Sequence, residues 1–189
     1  MPTSRSNQRT SNMRNRIALS WPVRIILVLV YSAAIMILAE DALSTKVRSL
    51  QAEESILSSL EATMVFLRLL VVCWAALFTF FQAYILALLF GLSVGIPRPK
   101  VGESWGYVLI AQLPLSLMVF LFLATGHSAA MPLFYKPYVQ HLIGAVTAIA
   151  FALLASSGTG APRKRVAAFT VLALAANSAM LVLSGQVAS

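Results

Sequence analysis

Residues 64–92 read MVFLRLLVVCWAALFTFFQAYILALLFGL, a run broken by one charge, Arg68. An α-helix rises about 1.5 Å per residue, so roughly 20 such residues cross the ~30 Å hydrocarbon layer of a bilayer. This run exceeds that length and has too few polar positions to form a water-facing stripe. It predicts a membrane-spanning helix, and the rest of the chain repeats the pattern. Further apolar runs cover 21–39, 105–125, 139–155 and 166–183, separated by short segments rich in Gly, Pro and charge. The spacing predicts an all-α, multi-pass transmembrane helical bundle of about five spans.

Composition agrees with that reading. The chain has 189 residues, 59% of them hydrophobic and 11% charged, with mean hydropathy +0.84. Soluble domains carry about 25% charged residues, and this chain has too few to cover a soluble core. The lone Cys73 lies inside an apolar run and cannot form an intrachain disulfide. Residues 1–20 are polar and basic, which predicts a flexible tail. The apolar stretch after it ends at Glu40-Asp41 without a small-residue cleavage pattern, so it reads as a start-transfer anchor.

Net charge is +8. In a soluble protein that would invite nucleic acid, but here the basic residues flank apolar runs, and we expect no nucleic-acid partner. The positive-inside rule instead converts them into an orientation. With the N-terminus in the cytoplasm, that side holds Arg5, Arg9, Arg14, Arg16, Arg24, Arg98, Lys100, Arg163, Lys164 and Arg165. The opposite side holds Lys46, Arg48 and Lys136, together with Glu40, Asp41, Glu53, Glu54 and Glu61. An odd number of spans leaves the C-terminus outside. Between the first two spans, 42–62 lacks Gly and Pro and places Leu43, Val47, Leu50 and Leu57 near one stripe. It predicts an amphipathic outer helix that continues into the second span and offers those four residues as partner contacts.

Chemistry between the helices is sparse. Charges within a span are costly and often functional, and Arg68 is the one such residue; Glu61 and Glu40 are its candidate partners in an intramembrane ion pair. His127 and His141 lie on or near the outer loop, without the ligand spacing of a metal site. No phosphate-binding glycine loop or nucleophile elbow is present. The expectation is therefore no catalytic residue, no metal and no cofactor. Gln82, Tyr84, Gln112 and Asn177 are uncharged polar groups suited to hydrogen bonds between helices. Pro114 falls inside the third span, where it removes a helical hydrogen bond and makes a kink or a hinge.

Several of these stretches also resemble the Ypt-interacting protein (Yip) family. The residues are Ala83-Tyr84-Ile85-Leu86-Ala87-Leu88-Leu89-Phe90-Gly91 with the short basic loop after it, the Gly106-Tyr107 pair with Pro114 seven residues beyond Tyr107, and 143–167 with its small-residue turn before a basic segment. The likeness covers roughly residues 63–183. The long acidic N-terminal region and Asp-Leu-x-Gly-Pro element of eukaryotic members are absent, so the likeness points to a bacterial-type member. It implies five spans and a scaffold or accessory role. Eukaryotic members bind prenylated Rab-type GTPases, and some bacterial members are laid out like accessory subunits of peptide exporters. It also marks Gly106, Tyr107 and Pro114 as a structural or hinge element.

The sequence thus leads to a non-enzymatic membrane scaffold or accessory subunit in a bacterial cytoplasmic membrane. Its expected partners are membrane lipids and other integral membrane proteins or further copies of itself. An oligomeric small-molecule channel or transporter and an immunity-type membrane protein are the alternatives.

Overall fold

A computed structural model describes residues 19–53, 60–95, 98–157 and 161–187, with backbone alone at 41, 42, 46, 48–53, 60, 61, 128–130 and 180–187. Residues 1–18 of the basic tail expected over 1–20, and the candidate contact Leu57, lie outside the described residues. Five α-helices follow in order: α1 (Trp21–Glu53), α2 (Leu60–Val94), α3 (Val101–Ala124), α4 (Pro137–Ser156) and α5 (Arg163–Val187), with a 3-10 helix at Ser128–Tyr135 between α3 and α4. No strand occurs among the described residues. Four stretches are long and apolar enough to cross a membrane: Trp21–Glu40, Ala62–Val94, Val101–Ala124 and Pro137–Ser156. The chain is an all-helical integral membrane protein.

The first helix is longer than its apolar run. α1 runs through Glu40-Asp41 without a break and is described to Glu53; the junction by which segment 42–62 is expected to join the second span lies outside the described residues. Apolarity decides where a span stops, whereas a helix continues as long as backbone hydrogen bonding does. Nothing between Ala42 and Glu53 supplies a Gly or Pro to end it. Helices of 33 and 35 residues are each about 50 Å long, so α1 and α2 outrun the bilayer.

The bundle centres on α3, which packs against α1, α2 and α4, while α5 covers α4 and α2. In the apolar window of α3, 39% of residues are buried, against 11% in α2, so α2 is a peripheral helix with an apolar outer face. Phe66, Trp74, Leu77 and Phe81 of α2 are each more than half exposed, as expected of side chains whose solvent is lipid.

Where α2, α3, α4 and α5 meet, four rings interlock. Phe90 stands edge-on to Phe169 at 5.2 Å between centroids and to Phe151 at 6.3 Å. Phe151 in turn meets Tyr107 at 6.0 Å. All four residues are buried. Edge-to-face pairs contribute about 0.5–1.5 kcal/mol each beyond area burial, and their directionality fixes helix rotation where lipid is as apolar as leucine.

Small residues complete the packing. A Cβ at Gly144 of α4 would stand 1.9 Å from Asn177 Nδ2 and 2.4 Å from its Cγ; the amide of α5 occupies the place of a side chain. Gly144→Ala is therefore expected to destabilise the protein by about 1–3 kcal/mol. Thermal unfolding in detergent should show that loss, and Asn177→Ala in the same chain should recover most of it.

Candidate functional site

Arg68 resolves into an ion pair. Its Nη2 lies 2.5 Å from Glu40 Oε1, joining α2 to α1, with the two side chains 45% and 39% exposed. The structure thus brings together two of the three residues proposed for this pair; Glu61 is described by backbone alone. Glu40 closes the apolar part of α1, so the pair sits at the level where hydrocarbon gives way to headgroups. Arg68 lies six residues into the apolar stretch Ala62–Val94, near its start and away from its middle.

The Gly106-Tyr107…Pro114 element separates into packing and surface. A Cβ at Gly106 would stand 3.0 Å from Leu19 Cδ1; this glycine admits the chain leading into α1. Tyr107 is 1% exposed and belongs to the aromatic cluster. Pro114 lies two turns further along the same helix face, since seven residues make nearly two turns, yet it is exposed. α3 remains helical across it. The ring faces outward, so the site combines a close contact, a core ring and a lipid-facing proline.

Of the four proposed partner contacts, Leu43 is partly buried and Leu50 is described by backbone alone. Val47 is only 1% exposed. It is enclosed by its own chain, which corrects its assignment as a contact for a partner.

Other polar groups link helices in ways the sequence did not single out. Trp105 Nε1 donates to Thr79 Oγ1 at 3.2 Å, joining α3 to α2. His141 Nδ1 and Ser178 Oγ lie 3.3 Å apart, joining α4 to α5. Tyr135 Oη donates to the Leu38 carbonyl, tying the 3-10 helix to α1. Arg165 Nη1 donates to the Val94 carbonyl at 3.0 Å, satisfying an orphan acceptor at the negative end of α2. Gly95, just past it, has φ +66°, the left-handed position at which helices commonly end on glycine. That Gly95 followed by a proline-rich loop was the available signal for the terminus; which cation caps it had none.

His127 turns locally, its Nδ1 3.1 Å from the Thr125 carbonyl. Among the described residues, no group of three or more His, Cys, Asp or Glu side chains could hold a metal ion. Among the described residues, four buried side-chain oxygens have no hydrogen-bond partner: Ser32 Oγ on α1, Gln82 Oε1 on α2, and Ser104 Oγ and Gln112 Oε1 on α3. No protein-family model, curated protein or solved structure matches the chain.

The ion pair makes a direct prediction. Glu40→Arg alone places two cations against each other and should lower the melting temperature in detergent. The exchange Glu40→Arg with Arg68→Glu should restore it, and an unaltered melting temperature in the single variant would show that the pair does not join the helices.

Proposed function

We propose that this chain is a non-enzymatic scaffold or accessory subunit of a bacterial cytoplasmic membrane, with five spans, a cytoplasmic N-terminus and an outside C-terminus. The observation that carries the reading is how the polar side chains of the spans are used. Arg68, Trp105, His141 and Arg165 each bond to another helix of the same chain. Each of these groups therefore has a use in assembly of the bundle that calls for no substrate. The uncovered apolar face of α2 supports the same reading, because it gives neighbouring membrane proteins or further copies of this chain a broad surface to pack on. The layout likeness to the Yip family also favours it. α5, at 25 residues, is long enough for the fifth span, and the ten-to-three distribution of basic residues supports the orientation.

A specific observation favours a second reading. Partnerless oxygens at Ser32, Gln82 and Gln112 lie on the three mutually packed helices α1, α2 and α3, and unpaired polar groups in a dry interior are costly. An oligomeric small-molecule channel or transporter would give them a use.

Purification in mild detergent separates the two. The scaffold reading expects a different membrane protein to co-purify in fixed ratio with the chain. A homo-oligomer that conducts solute in liposomes would replace it with the channel. Single cysteines at Arg98 and Lys136 test the orientation: impermeant maleimide applied outside intact cells should label the second and spare the first.

A further inference from the structure

At the end of the bundle where α2 finishes, two loops and the start of α5 come together. Arg165 bonds to the Val94 carbonyl, and its Nη1 would stand 2.8 Å from a Cβ on Gly95; this ties the Arg163-Lys164-Arg165 triplet to the α2–α3 loop. That loop folds back on α2, since a Cβ on Gly91 would stand 3.1 Å from Arg98 Cβ. Arg98, Lys100, Arg163 and Lys164 are all exposed. Arg165 is committed to its cap, and the other four have no hydrogen bond or ion pair among the described residues. Between Gly91 and Arg165 the sequence holds one carboxylate, Glu103.

At the same end of the bundle the helices carry exposed apolar side chains. Leu92, next to Gly91, is 82% exposed, and Leu153 near the end of α4 is 64% exposed. A soluble acidic protein or a nucleic acid would answer the charge alone and would not reach the hydrocarbon that those leucines face. A molecule with a phosphate at one end and hydrocarbon at the other answers both. We propose that this basic end binds the headgroups of anionic phospholipids, with Arg98, Lys100, Arg163 and Lys164 meeting phosphate and Leu92 lying along an acyl chain. Basic side chains clustered at the ends of spans recognise such headgroups electrostatically, each cation contributing on the order of fivefold in affinity. Because α2 ends in this cluster and α5 begins in it, a bound headgroup would bridge the two helices that Arg165 already ties. The inference needs the chain to be in a membrane but is independent of whether it serves as scaffold or channel.

Native mass spectrometry of the full chain, exchanged into mixed micelles of phosphatidylglycerol and phosphatidylcholine, tests it. The wild-type protein should retain phosphatidylglycerol on the order of tenfold over phosphatidylcholine. No preference would overturn the proposal whatever any variant does. Arg98→Gln, Lys100→Gln, Arg163→Gln and Lys164→Gln together should remove the preference, whereas Lys136→Gln at the opposite end should not. Those four charges also bear on insertion, so two milder changes stand beside them: Lys100→Gln with Lys164→Gln, and Leu92→Gln alone, each expected to weaken retention severalfold. Retention unchanged in both, or displacement of the lipid by soluble polyglutamate at equal charge concentration, would assign the surface to something other than lipid.

Discussion

Phe90 is the point on which the bundle depends. Its ring touches Phe151 and Phe169, and Phe151 touches Tyr107, so one small cluster ties α2, α3, α4 and α5. In water such a cluster would be held by expulsion from solvent. In a bilayer the alternative to protein contact is contact with lipid, which is equally apolar, and association rests on shape and on directional pairing. T-shaped rings provide both. Ala148, Ala152 and Ala173, buried around the cluster, let the helices approach closely enough for the rings to meet.

α1 lies outside this cluster and is held differently. Its contacts are with α2, α3 and the 3-10 helix, and polar or aromatic links mark both ends of its apolar stretch. At one end Trp21 packs on Trp105, 6.0 Å between centroids, and at the other Glu40 meets Arg68. Both links lie near the boundary between hydrocarbon and headgroups, where Trp rings and paired charges are tolerated. The helix between them is thus fastened at its margins, and its midsection contributes fitted residues such as Ala34 and Ser32, both fully enclosed.

The helices themselves were legible in the sequence because a membrane imposes a length and a polarity that no other environment does. The runs at 64–92 and 105–125 declare α2 and α3 with errors of a few residues. That α1 continues past its apolar run as far as Glu53 was not legible, because hydropathy marks where hydrocarbon ends and carries no information on how far a helix continues beyond it. The site divides in the same way. That Arg68 needs a carboxylate follows from the cost of a charge in a span, and two candidates followed from their common level at the outer end of the spans. That Glu40 reaches it required the rotation of α1 about α2. Val47 shows the converse: its place in an apolar stripe identifies a face that is covered without saying what covers it.

Gly144 and Asn177 extend the point to polar residues. An asparagine in a span reads equally as a ligand, a pathway residue or a helix contact. Its meaning comes from the glycine opposite, 33 residues away, whose missing side chain makes room for the amide. Polar residues in this protein therefore have to be read in pairs across helices. Where the partner is present, as at Asn177, Thr79 and Ser178, the group serves assembly of the bundle. Where none is found among the described residues, as at Gln82 Oε1 and Gln112 Oε1, the group is enclosed between helices without a bond that explains its place there.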